Sequence, residues 1–159
     1  IYGPRCDPGG YGVIARFVTQ ALSGAPLTVF GDGAQTRSFT YVDDAVRATL
    51  LAGTRPEAIG EALNVGSARE ISIGDVASLV LRLTGSPSPL HYQGHEQVFG
   101  AHFEDTRRRV PDTRKAQRLL QFSAEIDLEE GIRHTIHWWS TEGQRRSLRA
   151  NEKRSIHAS

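Results

Sequence analysis

The sequence has 159 residues, 38% of them hydrophobic and 23% charged, with a formal net charge of +1; this composition fits a globular chain of about one domain and argues against a fibrous or fully disordered protein. The charge is uneven, because residues 140–159 hold five Arg or Lys against two Glu, roughly +3, which leaves residues 1–139 near −2 and without the basic surface that nucleic acid requires. Cys6 is the single cysteine, which excludes an internal disulfide, and no apolar run is long enough to span a bilayer, so a reducing, cytoplasmic setting without membrane or nucleic-acid partners is expected.

The glycine-rich entry Gly9-Gly10-Tyr11-Gly12 leads into Val13, Ile14, Phe17, Val18, Ala21 and Leu22, whose spacing predicts a helix ended by Ser23-Gly24. Leu27–Phe30 and residues 37–41 read as two strands, and Gly31-Asp32-Gly33 between them predicts a hairpin. Asp43 or Asp44 is placed to cap a second helix carrying Val46, Leu50 and Leu51 toward Gly53. Residues 61–66 are expected as a short strand. Ser72 and Asp75 resemble a capping box for a helix over residues 76–83, and Leu90-His91-Tyr92 suggests another strand. Residues 93–109 lack a period and predict a long loop. Pro111-Asp112 is placed to start a helix through Leu119 and Leu120, and Asp127 with Glu130 to start the last one, through Ile132, Ile136 and Trp139. After that only Leu148, Ala150, Ile156 and Ala158 are apolar, too few to offset the entropy of ordering. The expected organisation is therefore a folded unit over residues 1–139 and a disordered basic tail over residues 140–159.

Several side chains suit ligand chemistry, each with a plainer alternative. Arg37 opens a strand after a tight turn and offers the planar, permanently charged donors that a diphosphate needs; taken alone it reads better as a surface arginine or a partner for Asp32, and the surrounding motif reverses that judgement. Arg107, Arg108 and Arg109 precede a predicted helix N-terminus, which favours anions, or form a solvated run paired with Glu104 and Asp105. Alternation turns only one of Val29 and Phe30 into the core. Gln35 can serve ribose hydroxyls or the turn itself. His91 with His95 and His134 with His137 have zinc-like spacing but no accompanying ligand set, so no metal is expected.

Pro26-Leu-Thr-Val-Phe-Gly-Asp-Gly-Ala-Gln-Thr-Arg-Ser-Phe-Thr-Tyr-Val-Asp-Asp44, with Tyr2-Gly3-Pro4, Asn64-Val65-Gly66, Arg109-Val-Pro-Asp112 and His137-Trp-Trp139, resembles the C-terminal part of extended short-chain dehydrogenases of the NAD-dependent epimerase/dehydratase family. Within it, UDP-glucuronate decarboxylases are nearest, with nucleotide-sugar 4,6-dehydratases and 4-epimerases close behind. The resemblance implies an α/β fold in which this chain is the substrate-binding part and the main dinucleotide-binding half of an extended Rossmann-type enzyme is absent, with residues 62–65 edging that missing sheet. It implies a nucleotide-diphosphate sugar, UDP-linked, with Val29 and Phe30 at the base, Gln35 at the ribose and Arg37 and Arg109 on the diphosphate, Arg108 replacing Arg109 if the loop is shifted. Tyr2 then falls where nicotinamide and sugar meet. NAD would be bound mainly by the absent half, the sugar oxidised at C4, and the full-length parent a homodimer.

The chain departs from that pattern in three places. None of its tyrosines has a lysine four residues on, so the family's catalytic Tyr-x-x-x-Lys is absent, and Gly31-Asp32-Gly33 lacks the third glycine of a dinucleotide fingerprint and leads toward a strand. Gly12 stands where decarboxylases carry an arginine. With no Met and an opening at Ile1-Tyr2-Gly3-Pro4, the sequence is expected to be a segment of a longer product. A non-catalytic nucleotide-binding module and an inactive fragment are the competing expectations.

Overall fold

The computed structural model describes residues 1–10, 12–94 and 105–143. In chain order the elements are α1 (Val13–Ser23), β1 (Leu27–Phe30), β2 (Thr36–Ser38), α2 (Val42–Thr54), a 3-10 turn (Pro56–Ala58), β3 (Glu70–Ser72), α3 (Ile73–Thr84), β4 (Leu90–Gln93), β5 (Arg108–Arg109), α4 (Arg114–Leu120), α5 (Leu128–Trp138) and a closing turn of π-helix (Trp139–Gly143). The basic tail from residue 144 lies outside the described residues.

The helices form where apolar spacing and end signals agree. α1 buries Ile14, Phe17, Val18 and Ala21 on one side, and Gly24 ends it in the left-handed region at φ 74°, its N–H donating to the Ala21 and Gln20 carbonyls. The Ser72 hydroxyl accepts from the Asp75 N–H at 3.0 Å and donates to the Asp75 carboxylate at 2.6 Å, a reciprocal cap that starts α3. Asp127 caps α5 by accepting from the Glu129 N–H at 2.9 Å. α4 begins later than its proline suggests: Asp112 accepts from the Arg114 N–H at 3.1 Å as an Asx turn, and Thr113 is the first helical neighbour.

The expected hairpin does not form. β1 pairs in parallel with β4, Leu27 opposite Leu90, whereas β2 pairs antiparallel with β3 and parallel with β5 in a second sheet. The turn itself explains the separation. Gly31 and Gly33 take φ 70° and 74°, Asp32 Oδ1 accepts from the Ala34 N–H at 2.9 Å, and the Gln35 side chain donates to the Phe30 carbonyl at 2.7 Å, so the chain leaves the plane of β1. The Gly31 N–H stays with β4, donating to the Gln93 carbonyl at 2.8 Å. The apolar strand joins Leu90 and its neighbours, while Thr36-Arg37-Ser38 finds polar partners, Thr36 Oγ1 reaching Glu70 at 2.6 Å.

Residues 61–66 are not a strand either. Leu63 and Val65 pack instead on a small cluster of Ala48, Ala58, Ala116, Leu120 and Phe122, apart from the main core of α1, β1, α3 and α5 around Phe17, Leu27, Val76, Val80 and Ile132. Burial of their side chains, not ladder bonding, places them. The main core admits no side chain at Gly131, where a Cβ would lie 2.8 Å from Tyr2 Cζ and 2.9 Å from Tyr41 Cδ2.

Candidate functional site

A cleft of about 1270 Å³ opens between the N-terminus of α1, the end of β1, and the β2–β5 sheet, with Phe30, Gln35, Arg37 and Arg109 among its walls. Arg37 is the most tightly held of these. Its Nη2 meets Asp105 Oδ1 at 2.6 Å, its Nη1 donates to the carbonyls of Thr36 at 2.8 Å and Thr106 at 2.6 Å, and its side chain is only 11% exposed. The charge thus ties β2 to the segment that precedes β5. Asp32, the partner considered from sequence, faces Arg107 at 3.7 Å instead.

The three adjacent arginines diverge, Arg108 and Arg109 alternating within β5. Arg108 turns away from the cleft and pairs with Glu70 at 2.9 Å, at a side-chain exposure of 67%. Arg109 lines the cleft with Val110 and Pro111 and has no ion pair among the described residues. Nearby Asp112 is bound to Arg114 at 2.5 Å, which together with the Arg114 amide pulls its pKa down to about 2. It therefore stays an anion paired with Arg114.

β1 sorts its two candidates. Val29 is fully buried in the core, whereas Phe30 reaches the cleft. Gln35 is buried too; its Nε2 donates to the Phe30 carbonyl and its Oε1 has no hydrogen-bond partner among the described residues. Tyr2 also lines the cleft, but with its hydroxyl turned inward to donate to the Leu128 carbonyl at 3.3 Å and its ring edge-on to Phe39 and Tyr41. Burial raises the pKa of that hydroxyl well above a free phenol, with Tyr41 and nearby carboxylates adding to the effect.

Two participants escape a reading by motif. Arg16 lines the cleft from the flank of α1, its guanidinium 4.5 Å from the Phe30 ring centroid. The available signal was a cation interrupting an apolar helical face between Ala15 and Phe17. Asp105, read from sequence as a partner for the adjacent arginine run, pairs instead with Arg37, 68 residues away. The glycine at position 12 has a packing reason: a Cβ there would sit 2.7 Å from Cys6 Sγ. Among the described residues no three His, Cys, Asp or Glu converge to hold a metal, His95 lying outside them, and no helix is long and apolar enough to cross a membrane.

Residues 1–66 match the model of the NAD dependent epimerase/dehydratase family, a span that includes α1, β1, β2 and α2. A UDP-N-acetyl-alpha-D-glucosaminuronate decarboxylase of Bacillus cytotoxicus is 44% identical over 140 residues, 87% of this chain and 43% of that protein. The chain belongs to the NAD-dependent epimerase/dehydratase family. Its fold is shared with solved members: the UDP-glucose 4-epimerase of Thermotoga maritima, in complex with UDP-glucose, has a TM-score of 0.78 at 33% identity, over 92% of this chain and 44% of that one. The UDP-glucuronic acid 4-epimerase of Bacillus cereus, in complex with UDP-glucuronic acid and NAD, has a TM-score of 0.76 at 33% identity, over 86% and 41%. The chain thus spans less than half the length of these family members, and is an α/β piece of their architecture.

Proposed function

We propose that this chain is the nucleotide-sugar-binding part of an NAD-dependent epimerase, dehydratase or decarboxylase that oxidises a UDP-linked hexose at C4. The observation that carries this reading is the convergence of Phe30, Gln35, Arg37 and Arg109 on one cleft. Phe30 stacks against the base, the open Oε1 of Gln35 accepts from a ribose hydroxyl, and the guanidinium groups of Arg37 and Arg109 hold the diphosphate. Arg109 has no competing ion pair among the described residues, while Arg37 shares Asp105 with the ligand. The names of the relatives supply the UDP-sugar substrate class.

The residues present do not fit NAD. Gly31-Asp32-Gly33 turns into β2, not into a helix whose N-terminal amides would cradle a pyrophosphate, and the Tyr2 hydroxyl is committed to Leu128. No step of the redox chemistry is therefore assigned to these residues. A second reading, a non-catalytic nucleotide-binding module, draws on the lack of a Tyr-x-x-x-Lys pair in the sequence. Assay of the intact protein for turnover of UDP-glucose and UDP-glucuronate separates the two.

Calorimetric titration with UDP tests the shared core of both readings. Arg109→Ala is expected to weaken UDP about tenfold or more, as loss of a charge-assisted hydrogen bond predicts, and Arg37→Ala at least as much. Unchanged affinity in both variants would remove the diphosphate from this cleft.

A further inference from the structure

Arg16 presents an unresolved demand for a hydrogen-bond acceptor. It sits in the first turns of α1, where Ile14, Ala15, Phe17 and Val18 around it are buried, and its Nε is itself buried with no hydrogen-bond partner among the described residues. No carboxylate pairs with it among the described residues, and desolvation alone lowers its pKa from the usual arginine value. Its guanidinium lies 4.5 Å from the centre of the Phe30 ring and 5.9 Å from that of Phe17, so aromatic faces, not an anion, hold it in place.

Gln35 carries the complementary demand at the same residue. Its Nε2 is fixed on the Phe30 carbonyl and its buried Oε1 needs a donor. A bare anion offers acceptors to Arg16 but no donor to Gln35. A nucleoside offers both, a carbonyl on its base and hydroxyls on its ribose, together with a planar ring to lie against Phe30.

We propose that Arg16 selects the base: it donates to an exocyclic carbonyl of a pyrimidine such as uracil, with Phe30 as the stacking wall, and rejects bases that present an amine there. This rests on the cleft being a nucleotide site, and it adds a specificity-determining residue to that site. An amine opposite Arg16 would leave donor facing donor in a desolvated position. The discrimination follows from an unmet hydrogen bond and not from shape.

The test is titration of the intact protein and of its Arg16→Met and Arg16→Lys variants with UDP, CDP and inorganic pyrophosphate. Methionine keeps the apolar contact with Phe30 and removes the donors. The wild-type protein is expected to prefer UDP over CDP by about tenfold or more, and Arg16→Met to lose that preference through weaker UDP binding, with pyrophosphate unchanged. Equal UDP affinity in wild type and Arg16→Met overturns the proposal, as does a parallel loss of pyrophosphate, which would make Arg16 a general anion ligand. If circular dichroism shows Arg16→Met misfolded, Arg16→Lys decides, because a full UDP:CDP preference there removes any need for the arginine fork. Failure of the wild-type protein to bind UDP overturns the nucleotide reading and this one with it; UDP binding that Arg109→Ala weakens and Arg16→Met does not overturns this one alone.

Discussion

Asp44 occupies a position that suggests a helix cap, yet its carboxylate is 2% exposed and serves a segment 81 residues away. Its oxygens accept from the Glu125 N–H at 3.1 and 3.0 Å, the Ile126 N–H at 3.0 Å and Arg47 at 2.8 Å. Burial alone would raise its pKa; Arg47 and the two amides outweigh burial and lower it. Arg47 in turn lies 4.7 Å from the Phe122 ring centre and donates to the Ser123 carbonyl at 2.6 Å, so one carboxylate fastens α2 to the approach of α5. Asp44→Ala is expected to destabilise the fold by about 2 kcal/mol, because two amides and a guanidinium lose a charged acceptor in a buried place. Urea denaturation measures this, and a change within about 0.5 kcal/mol would mean that water replaces the carboxylate at no cost. The same limit on reading explains Arg16 and Asp105. Caps such as Ser72 and Asp127 act within three residues and are visible in the string, whereas a carboxylate that acts across 81 residues looks like any other first-turn aspartate.

The elements divide along a similar line. α1, α3 and α5 are readable because apolar spacing agrees with a local end signal in each, a glycine stop in α1, a side-chain cap in α5 and both in α3. Strand partners are not, since β1 and β2 are neighbours in sequence yet join different sheets according to side-chain polarity and the geometry of a glycine turn. Helix-to-helix fastening is likewise non-local. Glu129 in the first turn of α5 meets Arg82 of α3 and Arg133 of its own helix, both at 2.8 Å, which lowers its pKa from 4.5 to about 2. A depressed carboxylate pKa contributes stability that is fully present above about 4.5 and is lost as pH falls through about 2. Glu129→Gln is therefore expected to flatten the acid side of a thermal-midpoint profile across that window, with a small effect at neutral pH because the groups are solvent-screened. High salt should shrink the difference between the two proteins. Superimposable acid limbs would show that the pair is equally formed in the unfolded chain.

At the scale of the whole molecule, the cleft sits where separately stabilised parts meet. Phe30 belongs to the β1–β4 sheet, Arg37 and Arg109 to the β2–β3–β5 sheet, and Arg16 to α1, with the core of Phe17, Val76 and Ile132 behind them. A nucleotide that touches all of these binds only when they are assembled, and so its binding free energy adds to the stability of the assembled state. No comparable hold on NAD is proposed, because Gly31-Asp32-Gly33 turns into β2 and, among the described residues, no named strand precedes the glycine-rich run that enters α1. The 159-residue chain is thus expected to melt at a higher temperature with UDP and at an unchanged one with NAD. With UDP at 100 times its dissociation constant the gain is about 2.7 kcal/mol. For a chain of this size that corresponds to roughly 5–10 °C. A rise with NAD equal to that with UDP would show that the cleft accepts any nucleotide diphosphate and would undo the proposed separation of UDP from NAD binding. A rise with UDP alone, lost in Arg109→Ala, would locate UDP binding within these 159 residues, since a site that needed residues outside them could not report the ligand in their absence.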